Sequence, residues 1–522
     1  MSWNPARLRM APSNSLPTDL DVLVIGTGAG GAPLLARLAQ AGLKVAALEA
    51  GVRHPPEGIA TDEVAQLGLF WTDERLSAGN DPVGFGRNNS GRGVGGSTLH
   101  YTAYTPRAQP DDLKLRTEFG QGEDWPLEFS ELEPYYDELE YFLGVSGPEN
   151  YPWGPQRKSS YRHPPLPLNG AARLMQKACA EIGMRTSPAA NAALSRPQEQ
   201  EGYGTRHTCT NRGFCQAGCS IGAKASMDVT FLALAESLGA QIVDGAQVTA
   251  LTMKDGRVTG AEFMRGQELE HLSARTVILA AGAVETPRLL LMNGLANSSG
   301  QVGRNFMAHV GMQVWGQVDD DLRPYKGIPG GLISEDTHRV PGLIGGYLLQ
   351  SLGVMPVTYA TQYARGTLKW GPELIQHLGG YNHVAGINVL GECLPYEHNY
   401  LELSDELDGR ELPKPRVHFS FGENEKKMNA HAEALMRDLW GRIGARDVWA
   451  LPRAAHTLGT ARMGADPETS VVNPFGRTHD IENLWICDNS TFTSSLSVNP
   501  ALTQMALSLR TADALIDGLK QA

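Results

Sequence analysis

Apolar residues near the start of the chain fall in short runs and then change period. Asp21–Ile25 reads DVLVI, enough for one buried strand. GTGAGG follows, and Leu34, Leu35, Leu38 and Ala39 then recur at helical spacing as far as Gly42. Lys44–Leu48 (KVAAL) predicts a second buried strand, so strand, glycine-rich turn, helix and strand form a βαβ unit. Phe231–Ile242 predicts a helix leading into a strand. Val243–Phe263 predicts two short strands around Asp255-Gly256, a dipeptide suited to a two-residue hairpin. Arg275–Ala281 (RTVILAA) predicts another buried strand. Between residues 310 and 450 the alternation and the many turn residues predict a mostly antiparallel sheet. Residues 1–19 read as a loose arm, 52–92 as irregular, and 108–202 as acidic helical stretches separated by proline-rich loops. No internal repeat is evident.

The first turn carries chemistry. Gly26, Gly28 and Gly31 form GxGxxG between strand and helix. The first glycine permits the turn, the second lets the backbone approach a pyrophosphate, and the third lets helix and strand pack closely. The helix N-terminus then faces phosphate charge. Glu49 ends the second strand, where a carboxylate can accept hydrogen bonds from a ribose diol. This pattern indicates a dinucleotide and does not separate FAD from NAD.

Composition narrows the classes. A chain of 522 residues exceeds one ordinary core, so at least two packed units are expected. Net charge is -12 with no basic run, which argues against a nucleic-acid partner. No apolar run reaches the roughly 18 residues of a membrane span. Arg7 and Arg9 are not followed by an apolar core, so no secretory signal is read. A cytoplasmic location is expected, with export beside a partner subunit as the alternative. Six cysteines are too sparse for a disulfide scaffold, but Cys209, Cys215 and Cys219 are spaced C-x5-C-x3-C. Such thiolates can share an iron–sulfur cluster, with three ligands suiting a three-iron (3Fe-4S) form, or stay reduced as structural thiols. Zinc, with His207 as fourth ligand, suits the spacing less well.

Longer segments carry a family resemblance. Residues 88–107 (NNSGRGVGGSTLHYTAYTPR), 277–294 (VILAAGAVETPRLLLMNG), Gly303–His309 (GRNFMAH), His456–Gly464 (HTLGTARMG) and Cys487–Thr503 (CDNSTFTSSLSVNPALT) stand in order along the chain. In these segments the chain resembles the glucose–methanol–choline (GMC) oxidoreductases. The resemblance implies an α/β fold with a discontinuous, Rossmann-like FAD-binding domain (18–107, 203–309 and 455–522). It also implies a substrate-binding domain with a largely antiparallel sheet (108–202 and 310–454). By the same resemblance Gly95, Gly96 and Ser97 lie along the flavin, Asp488 holds the ribityl–phosphate end, and the backbone of Val248 meets the adenine. His456 and Asn499 stand where the family carries its His–His or His–Asn pair. A neutral imidazole takes a hydroxyl proton at neutral pH, and an amide beside it fixes which C–H is presented. Pro500 and the pattern after it predict a helix whose N-terminus favours negative charge on reduced flavin.

GGSTLHYTAYTPR is similar to a stretch of pyranose oxidases, which implies FAD bonded covalently through His100 with Thr102 near flavin N5. Leu99 departs from that pattern, and a packed, hydrogen-bonded His100 is the other reading. The cysteine block resembles FAD glucose dehydrogenases that pass electrons through a cluster, although Ser220 stands where those have proline. Long-chain alcohol oxidases carry a similar GFCxxGC block. The implied reaction is oxidation of a pyranose sugar or glycoside hydroxyl, with O2, a quinone or a redox partner as acceptor. The alternatives are a long-chain or sterol-like alcohol, a flavin-binding protein without turnover, and an NAD-dependent dehydrogenase.

Overall fold

A computed structural model describes residues 16–81 and 90–521. Arg7, Arg9, most of the expected N-terminal arm, and Asn88 and Asn89 of the first signature lie outside them.

The βαβ unit forms as its pattern predicts. Strand Leu20–Ile25 pairs in parallel with Val45–Leu48 and with the long strand Glu268–Leu279. Gln241–Val243 and Leu484–Ile486 extend the parallel set at its two sides. Val22, Leu23, Val24, Ala46 and Val277 are fully buried, which requires cover on both faces. Helix Gly31–Gln40 supplies part of that cover and packs against helices Phe231–Ser237 and Ala501–Gln521.

The first half of Glu268–Leu279 leaves the parallel set and continues as an antiparallel meander with Arg257–Arg265 and Ala246–Lys254. Its hairpin turns at Asp255 and Gly256, with φ of 51° and 75°. Two consecutive positive φ values match the right-handed twist of the flanking strands.

A second sheet has six strands, all antiparallel, in the order Arg446–Leu458, Met307–Gln317, Val384–Gly391, Tyr347–Leu352, Leu332–Ser334 and Ser187–Pro188. Helix Glu423–Arg442 backs this sheet through Met428, Ala432, Met436 and Leu439, a stripe at helical spacing. Trp440 fixes it by donating from Nε1 to the Val314 carbonyl at 3.0 Å. The opposite face of the sheet is left to line a cavity. Strands Met307–Gln317 and Arg446–Leu458 run through the expected boundaries at 309/310 and 454/455, so continuous strands join the two parts of the fold. No helix among the described residues is long and apolar enough to cross a membrane.

Candidate functional site

A cavity of about 370 Å³ lies between the glycine loop of the first sheet and the inner face of the second. Gly26, Gly28, Glu49, Gly96, Ser97 and Val248 line it together with His456, Asn499 and Pro500. His100, Thr102 and Asp488 line it as well. Gly31 and Gly95 do not line it. A Cβ on Gly31 would fall 2.1 Å from the Gly26 carbonyl oxygen, so that glycine serves helix–strand packing. Gly95 donates its N–H to the Thr27 hydroxyl at 3.2 Å.

Gly28 differs from its neighbours. The nearest atom to a Cβ built there is the Gly96 Cα at 3.8 Å, so the space beside it belongs to a ligand rather than to the protein. Gly30, absent from the three-glycine motif, is under a tighter constraint: its Cβ would lie 1.9 Å from the Cys487 carbonyl oxygen. Glu49 is buried and its carboxylate is already engaged. Oε2 accepts from the Thr27 N–H and hydroxyl at 3.1 and 2.7 Å, and Oε1 accepts from the N–H of Gly51 and Gly93 at 3.0 and 3.3 Å. Burial nevertheless pushes its pKa up. Asp488 is likewise engaged, accepting from Gly282 N–H (2.8 Å), Thr286 hydroxyl (2.6 Å) and Ser490 N–H (2.8 Å). Both carboxylates therefore shape the loops around the cavity.

His456 owes its position to a β-bulge. Ala455 pairs with His309 and Thr457 with Ala308, leaving His456 as the extra residue. Its φ of 54° is uncommon for a side chain with a Cβ, and the bulge turns the imidazole into the cavity beside Arg453. The ring stands edge-on to His309 at 89°, with the two Nδ1 atoms 3.2 Å apart.

The protonation pattern of this pair follows from its far end. His309 Nε2 lies 3.0 Å from the Leu496 carbonyl, which can only accept, so Nε2 carries the proton. Complete burial lowers the His309 pKa to about 4, so the ring is neutral and Nδ1 bears a lone pair. That lone pair accepts from His456 Nδ1–H, which leaves His456 Nε2 unprotonated. Burial first, then the neighbouring His309 and Arg453, push the His456 pKa well down. His456 thus presents a neutral acceptor nitrogen, the form a general base requires. The Leu496 carbonyl is itself pinned. Ser495 donates its N–H and hydroxyl to Glu392 at 2.9 and 2.7 Å, and Ser497 donates its hydroxyl to Asp112 at 2.7 Å.

His100 packs on Phe70 with ring centroids 4.4 Å apart. Its Nε2 is buried without a partner, and burial, then Lys224, lowers its pKa to about 3. Lys224 is 1% exposed and donates to the carbonyls of Leu99 (2.8 Å), Tyr101 (3.1 Å) and Cys215 (2.7 Å). It thereby ties the cysteine loop to both neighbours of His100. Cys209 Sγ accepts from the Asn211 N–H at 3.4 Å, and Cys219 Sγ from the Lys224 N–H at 3.5 Å. Gln216, inside the same loop, lines the cavity, but the three cysteines do not. Their sulfurs do not all lie within 4.8 Å of one another, which disfavours a single ion held by all three.

Whether a flavin nucleotide fits can be judged from unsatisfied atoms. Trp71 Nε1, His100 Nε2, Asn499 Oδ1 and both amide atoms of Gln504 are buried without partners, and all four residues line the cavity. Each such atom costs about 1–3 kcal/mol unless a ligand satisfies it. Donors and acceptors spread along one cavity, with a glycine gap at Gly28 and the N-terminus of helix Ala501–Gln521 beside it, suit an extended dinucleotide with a polar ring system. Sequence motifs did not single out Trp71, Gln504, Arg453 or the His309 contact. Only His309 lay inside a quoted segment, and its partner is far along the chain.

Residues 87–311 and 395–508 match the N-terminal and C-terminal models described as GMC oxidoreductase. The chain is 33% identical to 2-methyl-1,2-propanediol dehydrogenase of Mycolicibacterium austroafricanum, over 94% of each protein. It is 30% identical to the fructose dehydrogenase large subunit of Gluconobacter japonicus, over 96% of this chain and 98% of that one. Among solved structures, formate oxidase of Aspergillus oryzae RIB40 superposes with a TM-score of 0.71 at 16% identity, covering 97% of this chain and 100% of that one.

Proposed function

The chain belongs to the GMC oxidoreductase family of FAD-binding enzymes that act on CH–OH groups, and from that premise we propose that it oxidises a hydroxyl of a sugar or glycoside to a carbonyl or lactone. The observation that carries the reading is the polar wall beside His456, on the same sheet. Gln350 and Asn388 are direct cross-strand partners on the inner face of the second sheet, and both line the cavity with Arg453. Asn388 Oδ1 is buried without a partner. Three convergent polar side chains suit a hydroxyl-rich substrate better than an alkyl chain.

His456 Nε2 accepts the hydroxyl proton. His309 holds His456 in the tautomer that makes this possible, and the Leu496 carbonyl holds His309. Asn499 hydrogen-bonds the same hydroxyl and orients the carbon. Gln504 and the N-terminus of helix Ala501–Gln521 face the cofactor. Bound FAD supplies the acceptor for the hydride that leaves the carbon.

His100 Nε2 is the cavity-wall atom we assign to the flavin, as a covalent bond or as a hydrogen bond. Yellow colour that stays with acid-precipitated protein identifies the first, and colour released to the supernatant the second. Cys209, Cys215 and Cys219 are proposed as ligands of an iron–sulfur cluster. The support is the pair of N–H···S contacts and the buried Lys224 ammonium, which donates to three carbonyls, lies over the Tyr101 ring and gains further anionic neighbours if the adjacent thiols are metal-bound thiolates. Iron and acid-labile sulfide assayed in anaerobically purified protein test this, and their absence removes the cluster.

The main reading is tested by anaerobic titration of the holoprotein with neutral sugars, glycosides and a long-chain alcohol. Flavin absorbance that bleaches with a sugar or glycoside supports it. Bleaching only with the long-chain alcohol overturns the substrate class.

A further inference from the structure

Arg453 is a cation without a counter-ion. It lines the cavity three residues before His456, and among the described residues its side chain makes no ion pair or hydrogen bond. The carboxylates that line the cavity are all taken. Glu49 is held by four protein donors, Asp488 by three, and Glu285 pairs with Arg75 and Arg288 at 3.0 and 3.1 Å. Burial, and then Arg365, which has the same sign, lowers the Arg453 pKa. A guanidinium remains charged even so.

The fold makes room for this side chain. Arg453 sits opposite Gly311 in the sheet, and a Cβ on Gly311 would fall 2.7 Å from the Arg453 Cγ. The stem therefore lies over the glycine. Leu390, which also lines the cavity, pairs with Gly311 from the other side, and Asn388 stands two residues along that strand. An unpaired guanidinium and an unpaired amide acceptor thus lie on the sheet that also carries the base.

Resting on the reading of the site given above, we propose that the substrate is an acidic sugar: a polyhydroxylated molecule whose carboxylate is bound by Arg453 while a hydroxyl elsewhere on its skeleton reaches His456. A guanidinium presents a planar fork that matches a carboxylate, and one such group balances one negative charge. A phosphate monoester carries nearly two charges and finds only one unpaired cation on this wall. Asn388 Oδ1 accepts from a hydroxyl of the same substrate. Tuning of His456 alone does not account for Arg453, because burial is already the largest cause of the lowered His456 pKa.

The test pairs sugars of one skeleton, with and without the carboxylate, on the FAD-loaded enzyme. The wild type is expected to show a higher kcat/KM for the aldonic or uronic acid than for the neutral sugar, with the difference mainly in KM. In Arg453→Gln the ratio of acid to neutral kcat/KM falls about tenfold or more, the usual consequence of removing a charge-assisted hydrogen bond. Arg453→Lys retains part of the ratio, which separates lost charge from a damaged fold. Neutral sugars turned over as well as the acids by the wild type, or a ratio unchanged in Arg453→Gln, overturn the acidic substrate and leave the sugar reading standing. Loss of FAD, or an equal fall in kcat for both sugars, assigns Arg453 to the cofactor or base and overturns it too. No bleaching by any sugar, neutral or acidic, sinks both readings.

Discussion

Replacing His309 with leucine isolates the tautomer relay without touching the cavity wall. His309 is fully buried, does not line the cavity, and makes two side-chain hydrogen bonds: 3.0 Å to the Leu496 carbonyl and 3.2 Å to His456 Nδ1. Leucine fills a similar volume but offers neither donor nor acceptor. His456 Nδ1 then loses the partner that makes it the protonated nitrogen, and the proton can sit on Nε2, where it blocks the base. A buried polar group left unpaired costs about 1–3 kcal/mol. About 1.4 kcal/mol is tenfold in rate, so kcat/KM should fall about 5- to 150-fold. His309→Gln is the comparator, since an amide can donate to Leu496 and accept from His456. It should recover much of the loss. Steady-state kinetics on both variants, with FAD content and thermal midpoint measured alongside, make the assay. A folded, FAD-replete His309→Leu enzyme with kcat/KM within twofold of wild type would refute the relay. The pH profile adds a second reading. His309 titrates near 4 in the folded protein, and once protonated its Nδ1 donates instead of accepting. Activity should therefore be insensitive to this group above pH 6 and fall as pH drops toward 4.

Other predictions follow from single contacts. His338 donates from Nδ1 to Ser497 and from Nε2 to Asp111, at 2.9 Å in each case, so both nitrogens carry protons, and its pKa is raised to about 9 despite burial. Its stabilising contribution is complete below the unfolded value near 6.5 and is lost as pH rises through about 9. The thermal midpoint should fall across that window in wild type and stay flatter in His338→Gln. Gly28→Ala should leave the fold intact while weakening FAD binding, because its Cβ would make only an ordinary contact with the protein, 3.8 Å from the Gly96 Cα. Gly30→Ala should give insoluble or unfolded protein, because its Cβ would strike the Cys487 carbonyl. FAD titration followed by fluorescence, together with circular dichroism, distinguishes the two; a Gly28→Ala protein with wild-type FAD affinity would contradict the placement of the cofactor. Asn499→Ala should lower kcat more than it raises KM, and the opposite split in steady-state kinetics would make Asn499 a binding contact only.

Local patterns were legible where the physics is local. The βαβ unit, the Asp255-Gly256 hairpin and the helix after Pro500 each follow from spacing and turn chemistry within a few residues. The segment between 310 and 450 was legible only in outline. Its alternation marks the antiparallel strands, but helix Glu423–Arg442 interrupts them with its own stripe at Met428, Ala432 and Met436. Long-range geometry was not legible. The bulge at His456 depends on how Arg446–Leu458 pairs with a strand far earlier in the chain, and LPRAAHTL shows no sign of it. Glu49 is read as a ligand contact from its place at a strand end and Asp488 from the family resemblance; both line the cavity, and the protein donors that folding also gives each were not legible in the sequence. Arg453 carries no motif, and its significance lies in the partner it lacks.

The most direct test of the account is anaerobic single-turnover reduction of the enzyme-bound flavin by sugar substrate, comparing wild type with His456→Ala at equal FAD occupancy. The account predicts bleaching in wild type and a rate slower by about 100-fold or more in the variant, the usual contribution of a positioned general base. Equal rates in the two proteins would show that His456 does not take the hydroxyl proton.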